Sequence, residues 1–320
     1  MRRSFAARQV GLAMPVPYAK IIVNPVAGGS ATGRQWPQIS QRLRSGGLSF
    51  DWEYTSAAGQ ATELARAAAD NGYGYIIAVG GDGTVNEVAN GILGSPAASS
   101  TMLGLLSAGT SSDFAHCLGI PEDHDPACSL LLSGRKKVID VGFVEYSSAS
   151  RPQGRYFLNA ANVGFGAAVV DSWKNIPSRS GQPITYALRV AAGLGSLLRY
   201  DNREVTLDTE SKVETIRGWA VVVANGRYFA DRMLIAPQAK LDDGLLDLLV
   251  IGDVSKLEFL RLWPDLYKGS HIVHPKVMMK KVTTATVDSA KGMLVEADGE
   301  LLGEGPVSFR VVPSALTVVA

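Results

Sequence analysis

The stretch from Tyr75 to Leu93, YIIAVGGDGTVNEVANGIL, constrains this chain more than any other. The apolar run Tyr75–Val79 predicts a buried strand. Gly80, Gly81, Asp82 and Gly83 follow it directly. Val85, Val88, Ala89, Ile92 and Leu93 then recur at i, i+3, i+4, i+7 and i+8, which makes one apolar helix face. A strand running through glycines into a helix is half of a βαβ unit. The turn also has chemical meaning. Glycines let backbone N–H groups approach a phosphate, and a helix N-terminus favours anions. Thr84 suits the N-cap, and its hydroxyl could reach a phosphate. Asp82 would repel phosphates unless a Mg2+ stood between them. A plain strand-to-helix turn would use the same residues, so this loop alone leaves both readings open.

The flanking sequence repeats the rhythm. Ala19–Val23 and Leu103–Leu106 read as buried strands, Leu48–Tyr54 as an alternating one, and Arg34–Arg44 and Thr62–Asp70 as helices. Asn24–Ser30 and Leu106–Phe114 are further polar, glycine-bearing loops after strands. In a parallel sheet the strand C-termini share one edge, where ligands bind. The period changes near residues 137–155. Short β-branched segments dominate beyond it, with helices at Pro183–Arg199 and Leu257–Lys268. The expected fold class is an N-terminal Rossmann-like parallel α/β domain followed by a C-terminal antiparallel β-sandwich. The expected divisions are a tail over 1–18, the α/β domain over 19–145, the β domain over 146–306, and a strand over 307–320 returning to the first domain.

Charge narrows the partners. Lys and Arg number 31 against 30 Asp and Glu, a net +1, so the chain is not built as a general nucleic-acid binder. Cys117 and Cys128 have no metal-type spacing, which fits a reducing cytoplasm. No apolar run is long enough to span a membrane. The helix around 183–199 lies in a locally basic stretch. It reads either as packed on the β domain or as peripheral contact with the inner face of a membrane.

NPVAGG at 24–29, GGDGTVNEVANGI at 80–92, GTSSDFAHCLGIP at 109–121, IDVG at 139–142, FLNAANVGFGA at 157–167, KLDDGLLDL at 240–248 and DGE at 298–300 occur in order. Together they resemble the diacylglycerol kinase catalytic-domain family, which includes bacterial YegS-like lipid kinases and is related to sphingosine and ceramide kinases. The resemblance implies ATP as phosphoryl donor, Mg2+, and a lipid acceptor at a membrane surface. It maps a nucleotide site onto Asn24, Thr55, Gly80, Gly81, Asp82, Gly83, Thr84, Val85, Asn86 and Thr110. It maps a structural Mg2+ site onto Asp243 with the carbonyls of Lys240 and Leu245, and a general base onto Glu300. Taken without the resemblance, Asp242–Gly244 and Asp298–Glu300 each read as hairpin turns.

Three positions depart from the family pattern. Ser112 stands where Asn is usual, His116 where Arg is common, and Ala230-Asp231-Arg232 where glycines are frequent. The first two touch the expected phosphate side, and the third puts two charges near the expected acceptor side. The expectation is a lipid kinase acting on a diacylglycerol-like or sphingoid-like hydroxyl, with a homodimer allowed. The alternatives are a kinase of a small soluble acceptor such as NAD, or a nucleotide- or lipid-binding regulator without turnover.

Overall fold

A computed structural model describes residues 18–107, 112–148, 151–174, 176, 183–289 and 292–320. The first apolar runs form β1 (Ala19–Val23), β2 (Phe50–Tyr54), β3 (Tyr75–Gly80) and β4 (Met102–Ser107). Between them lie α1 (Ala27–Ser45), α2 (Gln60–Asp70) and α3 (Asp82–Leu93). The four strands are parallel in the order β2-β1-β3-β4. Every residue of β3 and β4 is buried, as expected for parallel strands covered by helices on both faces. The alternation expected in β2 is absent from its burial. Only Phe50 is buried, because β2 is the outermost strand. The first helix starts earlier than Arg34, and Gly28, Gly29 and Ser30 inside it are left-handed, with φ of 59°, 65° and 69°.

The chain continues through α4 (Asp113–Leu118) and α5 (His124–Ser133). Then come β5 (Lys136–Ser148), β6 (Arg151–Phe157), β7 (Ala160–Gly164), α6 (Phe165–Ser172), α7 (Pro183–Arg199), β8 (Arg203–Thr209) and β9 (Lys212–Ala224). The last elements are β10 (Leu246–Gly252), α8 (Lys256–Lys268), β11 (Val277–Val282), β12 (Thr284–Asp288), β13 (Leu294–Ala297), β14 (Glu300–Glu304) and β15 (Val307–Val319). Strands β5 to β14 pair antiparallel.

Alternation along β9 explains the layers of this half. Val221 and Val223 enter one core with Phe157, Val295 and Phe309. Ala220, Val222 and Ala224 face the opposite core, where Phe165, Trp219 and Phe259 pack. Helix α6 is absent from the sequence expectation. The chain turns into it at Gly164, whose φ is 111°. A Cβ there would lie 2.5 Å from Met293 Cε and 2.6 Å from the Trp219 carbonyl oxygen, so only glycine fits. The final strand joins the two halves. β15 runs antiparallel to β5 and β12, and at Thr317–Val318 it pairs parallel with β4. The start of α3 thereby faces the β6–β7 and β13–β14 connections, where Asn86 meets Tyr156 O and Asp298.

Candidate functional site

β1 and β3 pair in register from Ala19↔Tyr75 to Val23↔Val79, so Asn24 and Gly80 leave the sheet side by side. Asn24 Nδ2 donates to Thr84 Oγ1 at 3.0 Å. Thr84 is therefore not the N-cap. Gly81 is, and Thr84 sits in the first helical turn with its hydroxyl turned toward Asn24. Gly80 has an internal reason, because a Cβ there would lie 2.6 Å from Thr84 Oγ1. Gly81 and Gly83 have none. A Cβ on either would meet nothing within 4 Å, and Gly81 has an ordinary φ of −90°. The first N–H groups of α3 lack intrahelical partners, and bare backbone there leaves room for an anion. Thr55 joins the same edge, its N–H donating to Val23 O. Glu87 holds the loop after Thr55, a role that no local pattern marks. It accepts the N–H groups of Gly59 at 2.9 Å and Ala61 at 3.1 Å. Val85 is core, and Thr110 lies outside the described residues.

Asp82 is anchored to the next loop. Its carboxylate accepts from Ser112 Oγ at 2.6 Å, Asp113 N at 2.9 Å and Phe114 N at 3.2 Å. Those donors open α4, so the charge has a local stabiliser even without a metal. Ser112 also caps α4 by accepting from Ala115 N. A serine here serves where asparagine would, since both are good N-caps. His116 packs its ring on Tyr228, with centroids 4.5 Å apart. Asp113 accepts the N–H groups of Asp231 and Arg232 at 3.2 and 2.7 Å, and burial pushes its carboxyl up to about 6. Arg232 also pairs with Glu122. Arg232 thus has an ionic partner, and the backbone of Asp231 is held at the start of α4.

The turn at 230–232 carries a conformational cost. Ala230, Asp231 and Arg232 have φ of 51°, 68° and 66°, a left-handed run that side chains disfavour by roughly 1–2 kcal/mol each. Ala230→Gly should recover part of this, after glycine's own entropy cost, and stabilise the fold by about 0.5–1 kcal/mol. An increased midpoint of urea unfolding checks it.

The second half of the site is the turn between β13 and β14. Asp298 and Gly299 are left-handed there, with φ of 47° and 84°. The Asp298 carboxylate accepts the N–H groups of Leu158, Asn159 and Ala160 at 2.7, 3.0 and 3.1 Å, and Asn86 Nδ2 at 2.7 Å. Burial raises its pKa to about 6, while the four N–H donors it accepts favour the ionised form. Arg155 Nη2 donates to Asn86 Oδ1 and to Glu300 Oε1, each at 2.8 Å. A chain of contacts therefore runs from Glu300 through Arg155 and Asn86 to Asp298.

The structure adds a role for Asn86 that spacing does not show: its amide joins Asp298, Arg155, Tyr156 O and Asn90. Arg155 and Asp298 were missed as site residues. Nothing local marks Arg155, and Asp298 stands out only as the first residue of DGE. Glu300 itself keeps a half-exposed carboxylate beside Arg155.

The two metal expectations fare differently. Asp82 Oδ2 accepts one hydrogen bond and retains a free lone pair, which fits Mg2+ held by one carboxylate and nucleotide phosphates. The Lys240–Asp243–Leu245 turn does not fit a metal as folded. Asp243 Oδ2 lies 2.5 Å from Lys281 Nζ, and its Oδ1 accepts from Leu245 N. Burial lowers the pKa of Lys281, but Asp243 and Asp247 outweigh it and raise the ammonium's pKa. The turn's carboxylate is thus already neutralised. The neighbouring Gly244 N–H is held by Asp140 at 2.6 Å.

Family models match both halves of the chain. The diacylglycerol kinase catalytic domain matches residues 18–144, and the YegS C-terminal NAD kinase beta sandwich-like domain matches residues 160–320. The chain is 30% identical to a diacylglycerol kinase of Bacillus subtilis, over 91% of this chain and 92% of that protein. It is equally identical to a diacylglycerol kinase of Staphylococcus aureus strain Newman, over 94% and 92%. The crystal structure of a diacylglycerol kinase from Bacillus anthracis shares the fold, with a TM-score of 0.70 and 20% identity over 95% of this chain and 96% of that one. A yeast NADH kinase complexed with NADH has a TM-score of 0.50 at 8% identity, covering 96% of this chain and 84% of the other.

Proposed function

The chain belongs to the diacylglycerol kinase family, a family of lipid-kinase-type phosphotransferases, and from that membership we propose that it transfers the γ-phosphoryl group of ATP to a lipid hydroxyl. The observation that carries the nucleotide side is the pair Gly81 and Gly83, bare toward open space at the start of α3. The backbone N–H groups there would hold the phosphates. Asp82 would hold a Mg2+, which when bound neutralises charge on the phosphates. Glu300 is the base. Its carboxylate takes the hydroxyl proton as the lipid oxygen bonds to phosphorus and the bond to the ADP oxygen breaks. Arg155 orients Glu300, and Asn86 and Asp298 fix the distance between the phosphate loop and the base.

The test uses labelled ATP, Mg2+ and a mixed lipid extract. Label entering the organic phase supports the reading. Label only in the aqueous phase with NAD added overturns it, as does ATP binding without transfer. Gly81→Ala is a sharper probe. It should leave the melting temperature unchanged, because the added methyl meets only open space. It should raise the KM for ATP roughly tenfold by blocking backbone contact with phosphate.

The lipid surface has a proposed contact as well. Among the described residues no helix is long and apolar enough to cross a membrane. Yet α7 exposes Leu188, Val190, Leu194 and Leu198 at 50, 44, 51 and 73%, and the exposed Arg199 follows. An apolar helix face with a cation at its end suits an anionic bilayer. A Leu194→Glu/Leu198→Glu variant should lose sedimentation with anionic vesicles and keep turnover of a dispersed short-chain acceptor. Loss of a dimer in the variant, with vesicle binding intact, would assign the face to a second copy instead.

A further inference from the structure

Glu296 is a second carboxyl beneath the Asp298–Glu300 turn, and the proposed mechanism leaves it without a role. It is fully buried on β13, and its Oε2 accepts the Gly299 N–H at 2.9 Å. Its other oxygen, Oε1, has no partner. Directly across the antiparallel pair, in register, stands Asn162 of β7. Asn162 is 5% exposed, and its Oδ1 also lacks a partner. Opposed residues of a ladder share one face, so these two oxygens belong to the same buried layer beneath α6.

An ionised carboxylate and an amide oxygen can only accept. Two acceptors buried together without a donor are a costly arrangement. A proton on Glu296 Oε1 satisfies both at once.

The charges around Glu296 agree. β14 brings Glu300, which is paired with Arg155, and Glu304, which lies against Gly292. α6 brings only Asp171, which is paired with Lys174. β7 brings no charge, and the turn brings the anionic Asp298. Among the described residues no cation offsets a charge on Glu296. Burial, with Asp298 adding to it, pushes this carboxyl up to about 8.

We propose that Glu296 is a positioning residue, held as a neutral carboxylic acid that donates across the strand pair to Asn162 Oδ1 and grips the Gly299 N–H of the turn carrying Glu300. Its link to turnover rests on the reading of Glu300 as the base, but its protonation does not. Ionising Glu296 would bury an unpaired charge at the foot of the turn and loosen it.

Glu296→Gln mimics the neutral acid, with an N–H for Asn162 and an oxygen for Gly299. Infrared difference spectra at pH 7, wild type minus Glu296→Gln without substrate, should show a protonated-carboxyl C=O band. Asn162→Leu should move that band to higher frequency by removing its acceptor. Stability has a defined sign. The native pKa lies above the unfolded one, so the contribution of Glu296 is complete in acid and is lost as pH rises through about 8. The melting temperature of Glu296→Gln should therefore match wild type in acid and exceed it increasingly up to that pH. If only the neutral form holds the turn, wild-type kcat should fall about tenfold from pH 7 to pH 9, while Glu296→Gln stays flat. A carboxylate band in place of the acid band overturns the proposal, as does a band unmoved by Asn162→Leu. The expected spectra and melting curves with no kcat difference would leave the proton in place and refute the positioning role alone.

Discussion

Glu300→Gln is expected to lower kcat by roughly 10²- to 10⁴-fold, the usual weight of a positioned general base. Little else should change. The Glu300–Arg155 pair is half-exposed on the glutamate side, and such pairs contribute about 0–1 kcal/mol. Melting temperature and ATP affinity should therefore stay near wild type. This combination separates a base from a structural acid, whose loss would move stability first. Arg155→Met is the companion variant. It leaves the carboxylate in place without its orienting donor, so its kcat should fall less than that of Glu300→Gln. Isothermal titration with a non-hydrolysable ATP analogue and steady-state kinetics on the same preparations decide the matter. A Glu300→Gln enzyme with wild-type kcat would remove Glu300 from the chemistry.

Asp298→Ala should have the largest effect on stability. It removes one carboxylate and leaves three backbone N–H groups, at Leu158, Asn159 and Ala160, without their acceptor in a buried place. An unsatisfied buried donor costs about 1–3 kcal/mol, so three left together cost upward of about 3 kcal/mol. Urea unfolding should lose about that much. Turnover should fall with it, because Asn86 loses one of the contacts that hold α3 against the β half. Asp298→Asn keeps one acceptor oxygen and should recover part of both. An Asp298→Ala protein as stable as wild type would show that water replaces the carboxylate and that the bracket is not rigid.

The corrections share one cause. Asn86 and Asp298 are 212 residues apart, and Arg155 stands 69 residues from Asn86. Neither spacing leaves a local trace. Thr84 has the composition of an N-cap, but its hydroxyl was claimed by Asn24 from the neighbouring strand. Asp243 occupies a turn that suits a metal, until β11 brings Lys281 across from β10. In each case a side chain's donors and acceptors were free in the sequence and engaged in the fold.

What the sequence determined by itself was local and periodic. It carried the buried strand at Tyr75–Val79, the glycine loop, the helix after it, and the change to short alternating strands beyond residue 137. Hydrophobic period and turn chemistry act over a few residues, so they can be read without a partner. The ordered motifs carried the family for the same reason. Tertiary structure alone decided which glycines serve packing and which face open space. It also decided that Asp82 is held by α4, that Glu300 answers to Arg155, and that Glu296 stands opposite Asn162. Those facts depend on strand register and on burial. Register sets which polar atoms oppose each other, and burial sets the cost of leaving them unpaired.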